Sequence, residues 1–144
     1  GHYVMHHLEW SAVGAVGSSL VMLGIGSQLY ERIVRAWGER WGIRSRSDLA
    51  ALPLLLLLLS VLSFVSLPVS NAVSRQAEAS ADRYAMELLN SSEGAVTMYQ
   101  KMAAASLSDV NPPLLVRWFR DTHPSDMERM IDAMRFKPDP SAGR

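Results

Sequence analysis

The sequence contains no cysteine. Disulfides and thiolate metal sites are therefore excluded, and any metal has to be held by histidine and carboxylate. There is no excess of charge either: 14 basic residues are matched by 14 acidic ones in 144 positions. A nucleic-acid binder usually shows a basic excess on one face, so no nucleic acid is implied as a partner. Charge is also missing locally. Ala12 to Tyr30 (AVGAVGSSLVMLGIGSQLY) and Ala50 to Val69 (AALPLLLLLLSVLSFVSLPV) contain no charged residue. About 20 residues of helix cross a bilayer's hydrocarbon core, and both stretches reach that length. The run LPLLLLLLSVL leaves no face for water, unlike an amphipathic surface helix. Neither stretch has the form of a signal peptide, because no small-residue cleavage site stands at an N-terminal position.

These stretches predict an all-α, polytopic membrane protein built on a transmembrane hairpin. Residues 1–11 form the end of a helix running into the first span, 12–30. A connector, 31–49, leads to the second span, 50–69. A helical domain follows over 70–137, and 138–144 is a loose tail. The first span carries Gly14, Gly17, Ser18, Gly24 and Gly26, small residues that let helices approach in lipid, so it is expected to pack against other helices. The leucine-rich second span is expected to face lipid. Pro53 near its start costs little, whereas Pro68 is placed to kink or end it. The connector holds five arginines, three acids and the two tryptophans Trp37 and Trp41, and tryptophan is a usual anchor at a membrane boundary. In the helical domain, the second span continues into NAVSRQAEASADRYAMELLN and stops at Asn90. Short helices are expected near 95–105, over LLVRWFRDT, and over HPSDMERMIDAMRF, with Asp, Asn and paired Pro of LSDVNPP forming a turn. Met98, Met102, Trp118 and Phe119 are expected to pack this domain.

Steps of four, three and four place Asn71, Arg75, Glu78 and Asp82 on one helix face. A solvated face with an ordinary Arg75–Glu78 pair, worth about a few tenths of a kcal/mol, explains such a stripe without any chemistry. A second reading divides labour between two of the residues. Glutamate can be the third ligand of a His-His-Glu zinc site. An aspartate one turn later can accept the free N–H of a ligating histidine and fix its tautomer.

With these residues the chain resembles the integral-membrane zinc metallopeptidases that include the type I CAAX prenyl proteases and the HtpX-like quality-control proteases. That family carries H-E-x-G-H, then a transmembrane hairpin, then a helix with E-x-x-x-A-D-type spacing. Here the helix reads SRQAEASADRYAMEL, and Gly1-His2-Tyr3 matches the end of the first motif. LSDVNPP and THPSDMERM resemble the late block, in which a His-Pro and an arginine six residues after the histidine recur: His123, Pro124 and Arg129. The resemblance spans nearly the whole chain and lies in the order of its blocks more than in any single one. It implies a zincin-like helical domain.

The first histidine and the catalytic glutamate of H-E-x-G-H would lie three and two places before Gly1. The chain is accordingly expected to be the C-terminal part of a longer protein and inactive alone. The resemblance implies a membrane zinc endopeptidase. Zn²⁺ would be held by the upstream histidine, His2 and Glu78, and the upstream glutamate would act as base for the attacking water. Asp82 would orient a ligating histidine, while His123 and Arg129 would donate to the oxyanion. Asn71 and Arg75 are left between holding substrate backbone and holding active-site carboxylates. His6 and His7 are read as bystanders. The implied partners are the lipid bilayer and a peptide or protein substrate, lipidated in the CAAX branch, towards which LSDVNPP leans. The family places its site towards the cytosol, and that orientation is adopted. The five-arginine connector argues the opposite by the positive-inside rule. The alternatives are an HtpX-like quality-control protease and a non-catalytic helical scaffold.

Overall fold

The computed structural model describes residues 7–141. All regular structure among them is helical, with no strand. The first helix, α1, spans His7–Trp37, so it continues seven residues beyond the expected limit at Tyr30. Nothing in ERIVRAW breaks a helix, and Arg35 pairs with Glu31 one turn back at 3.0 Å. It stops at Gly38, whose N–H still reaches the Val34 carbonyl at 2.9 Å. A Cβ at this position would sit 2.4 Å from that same oxygen, which is why only glycine fits.

The connector is folded. A 3-10 turn, Glu39–Trp41, ends at Gly42 in the left-handed region, φ 71°. Asp48 caps a second turn, Leu49–Ala51, by accepting from the Ala50 amide at 3.0 Å. It also accepts from the Arg44 amide at 2.9 Å. The Tyr30 hydroxyl donates to the Arg46 carbonyl at 2.7 Å, and Glu31 binds the Arg46 guanidinium at 2.6 Å. Trp37 and Trp41 stack at 6.2 Å, with Arg40 over the Trp37 ring.

Helix α2 spans Leu52–Leu89. Pro53 lies in its first turn, where a missing N–H is harmless. Pro68 neither ends nor divides it. Asn90, φ 46°, closes α2 in the left-handed conformation that asparagine tolerates. The Ser91 amide then reaches back to the Met86 carbonyl at 3.0 Å. Three shorter helices follow: α3 (Ala95–Ser106), α4 (Leu114–Phe119) and α5 (Asp126–Arg135).

The described residues fall into two compact units divided after Ser66. In the first, Leu8–Ser66, apolar helix surface is mostly uncovered. Two stretches, Ala12–Trp37 and Leu49–Leu89, are long and apolar enough to cross a membrane; their most apolar 18-residue windows have mean hydropathy 1.5 and 2.5 and are 0% and 6% buried. Gly26 meets Leu62 at 3.1 Å from an added Cβ, but nothing lies within 4 Å of such an atom at Gly14, Gly17 or Gly24. Their face has no partner among the described residues.

The second unit begins at Leu67. Its core is small: Met86, Tyr99 and Ala133, with Ala95, Val96, Met130 and Phe136 against them. It joins the end of α2 to α3 and α5. Met98, Met102 and Trp118, expected to fill this core, are about half exposed instead. On α3 the inward positions are Tyr99 and Ala103, and Met98 and Met102 each sit one residue, about 100° of helix rotation, away. The tail is less loose than expected, because Asn90 exchanges two hydrogen bonds with the Asp139 backbone at 2.9 and 2.7 Å.

Helix α5 starts with a capping box. The Ser125 hydroxyl accepts from the Glu128 amide at 3.3 Å, and the Glu128 carboxylate accepts from the Ser125 amide at 3.0 Å. Arg117 also binds Glu128. Burial acts to raise the Glu128 pKa, but the Ser125 amide and then Arg117 outweigh it and hold the carboxyl below its usual value. Two outcomes are expected for this unit. Ser125→Ala should lower its unfolding free energy by about 1 kcal/mol in denaturant titrations. Because the Glu128 pKa is depressed on folding, its contribution is present above the usual value near 4.5 and is lost as pH falls through the lower folded value. Glu128→Gln should flatten that acid-side decline, as read from denaturation midpoints against pH.

Candidate functional site

The inward face of α2 in the second unit carries Asn71, Ser74, Arg75, Glu78, Ala81, Asp82 and Met86, at helical spacing. Four of its polar members meet the segment from α4 to α5, in matching order apart from the Arg117 carbonyl. The Asn71 amide donates to the Trp118 carbonyl at 2.9 Å. Arg75 Nη1 donates to the carbonyls of Arg117 and Asp121 at 2.7 and 2.8 Å. Glu78 Oε2 lies 3.4 Å from His123 Nδ1. Asp82 receives both Nε and Nη2 of Arg129 at 2.7 Å. As α2 advances from 71 to 82, its partners advance from 118 to 129.

The structure thus joins four of the five expected site residues into two neighbouring pairs, Glu78–His123 and Asp82–Arg129. His2 lies outside the described residues, as does Gly1. Among the described residues no three metal-ligating side chains are grouped. The donors that are present, a partly buried carboxylate beside an imidazole, are of the type that zinc accepts. They fit a metal site completed by further ligands. Glu78 would supply oxygen, while His123 is available at its edge.

Arg129, expected to donate to an oxyanion, gives two of its five N–H groups to Asp82. Its side chain is 13% exposed, and its guanidinium lies over the Tyr99 ring, 4.5 Å from the centroid. Burial acts against its charge, yet the Asp82 hydrogen bonds and field hold its pKa above the usual arginine value. Asp82 in turn is engaged by a cation. A carboxylate has about four lone-pair sites, so the two N–H groups of the fork leave room for further donors. Tyr99, buried beneath the pair, was not recognisable from sequence. Its hydroxyl is pushed up in pKa first by burial and then by the Asp82 carboxylate. The only signal was its place on the inner face of α3.

Comparisons with known proteins bear on these residues together. The sequence pattern described as Peptidase family M48 matches residues 1–135. A curated relative, "Uncharacterized metalloprotease YhfN" of Bacillus subtilis (strain 168), is 49% identical over 133 residues, 92% of this chain. The chain spans only 31% of that relative's length. No solved structure matches.

The Asp82–Arg129 contact has the fork-to-fork geometry that lysine cannot reproduce. Removing one partner strands a partly buried charge, so Arg129→Met should cost about 2–3 kcal/mol. Arg129→Lys should recover only part of this. In a double-mutant cycle with Asp82→Asn, the coupling should reach about 2 kcal/mol, and additive losses would deny the pair any special role.

Proposed function

The chain belongs to peptidase family M48, and on that premise we propose that it forms part of a membrane-embedded zinc metalloendopeptidase. The whole protein would hold zinc, sit in a bilayer and cleave peptides in the manner of a CAAX protease. The carrying observation is the placement of Glu78 beside His123, with Asp82 one turn further along α2. These are the residues that the family resemblance singles out. Support for the bilayer comes from the two long apolar helices and their uncovered surfaces.

In this reading Glu78 and His2 are metal ligands, together with a histidine upstream of Gly1. When bound, zinc supplies Lewis-acid activation of water and of the scissile carbonyl. The catalytic base in this reading is the glutamate of that same upstream motif. His123 turns Nδ1 towards Glu78. Its other nitrogen, Nε2, points away from Glu78 and is the one that donates to the negative charge developing on the substrate carbonyl oxygen. Asp82 orients a ligating histidine, and Arg129 with Tyr99 beneath it holds Asp82 in place. Arg129 therefore acts through Asp82 and not directly on substrate. The substrate is a peptide or protein, lipidated in the CAAX-type branch and misfolded membrane protein in the HtpX-like one. The site faces the cytosol.

One observation favours a second reading, a non-catalytic scaffold: every member of the polar stripe already has a partner within the chain's own C-terminal segment. Metal analysis of the full-length protein separates the two. About one zinc per chain should be retained and lost in Glu78→Gln, with chelator-sensitive peptide hydrolysis only in the former. Metal-free wild-type protein would favour the scaffold. A topology reporter inserted in the connector should report the side opposite the cytosol. A cytosolic signal there would reverse the orientation, as the five arginines suggest.

A further inference from the structure

His123 is an exposed residue in a place that demands accuracy. Its side chain is 61% exposed, so packing does not hold it, and its position has to come from its backbone. On the downstream side that backbone is secured. Ser125 is buried in its capping box, and Arg129 is forked onto Asp82. On the upstream side, residues 120–122 lead from α4 to His123 without regular structure.

A side chain from α2 reaches that upstream stretch. Arg75 Nη1 donates both to Arg117 O, in the last turn of α4, and to Asp121 O, two residues before His123. Carbonyls in a helix's last turn lack helical partners. Asn71, itself buried, takes the neighbouring one, Trp118 O. Arg75 goes further, because its second acceptor lies beyond the helix. One nitrogen thereby ties the end of α4 to the turn that delivers His123. Arg75 is also one turn from Glu78 on the same face. The residue that holds His123's backbone and the residue that meets its ring thus stand on one rigid helix.

We propose that Arg75 is a positioning residue for His123, acting through the carbonyl of Asp121 to hold the imidazole beside Glu78. This rests on the reading of His123 as a substrate-facing donor. Lysine at 75 keeps one charged donor group that can reach a carbonyl. Glutamine is shorter and uncharged, and releases the turn.

The test uses the full-length protein in detergent, as wild type, Arg75→Gln and Arg75→Lys, with three readouts. The first is zinc content. The second is peptide hydrolysis resolved into kcat and KM. The third is the NMR signal of a ring-labelled His123, identified by its loss in His123→Gln. Arg75→Gln should retain wild-type zinc and a KM within about twofold, while kcat falls roughly 10- to 100-fold, the scale expected for a misplaced catalytic group. Its His123 signal should move, and Arg75→Lys should restore most of both. Unchanged kcat in Arg75→Gln overturns the proposal, as does zinc lost in step with activity, which would mark Arg75 as a general support of the fold. If the wild type hydrolyses nothing, the peptidase reading fails by itself. The His123 signal then decides the positioning role alone: movement in Arg75→Gln supports it, and an unmoved signal sinks it.

Discussion

A buried polar face has to be satisfied, and in this protein that requirement organises the whole second unit. Asn71, Arg75, Glu78 and Asp82 point inwards from α2. Each buried polar group without a partner would cost about 1–3 kcal/mol, and more where it is charged. The partners come from one continuous stretch, 117–129, and apart from the Arg117 carbonyl they come in order. Shifting that stretch by a turn would leave several groups unpaired together, so the ladder sets register as well as holding the segment down. The apolar core could not do this alone. Met86, Tyr99 and Ala133 are a small cluster, and apolar contact is not directional.

The same ladder connects structure to chemistry. Its upper rungs, Asn71 and Arg75, bind backbone carbonyls, whereas its lower rungs, Glu78 and Asp82, meet the ionisable side chains His123 and Arg129. The first pair fixes where the segment lies, and the second uses the residues so placed. Tyr99 joins the two concerns, since its ring belongs to the core and also supports the Arg129 guanidinium. A site assembled this way has its precision supplied by neighbouring hydrogen bonds, which suits a group as exposed as His123.

In the first unit the constraint is of another kind. Residues such as Leu56, Leu57, Phe64 and Val65 remain more than half exposed along α2. Fully burying a side chain of this type is worth about 1.5–3 kcal/mol, so these helices carry a large unsatisfied demand for an apolar environment. The connector shows the opposite character. Its arginines, acids and tryptophans are tied together by ion pairs, a stacked ring pair and a cap, which makes a compact polar end to two apolar helices.

Much was readable in the chain because it depends on local periodicity. The two long apolar helices, the end of α2 at Asn90, the start of α5 at Ser125 and the face shared by Asn71, Arg75, Glu78 and Asp82 all follow from composition and spacing within a few turns. The family resemblance likewise rested on the order of motifs, and the match over residues 1–135 bears it out at the level of peptidase family M48. Partnership was not readable. Sequence alone allowed Arg129 to serve an oxyanion, Asp82 to serve only a histidine, and Met98 or Trp118 to fill the core. Tertiary structure decided that Arg129 closes on Asp82 over Tyr99, that Arg75 holds the carbonyls before His123, and that Tyr99 turns inwards. The reason is physical: a helix face is set by residues three or four apart, whereas the partner of each side chain is set by how distant segments pack, and no spacing along the chain records that.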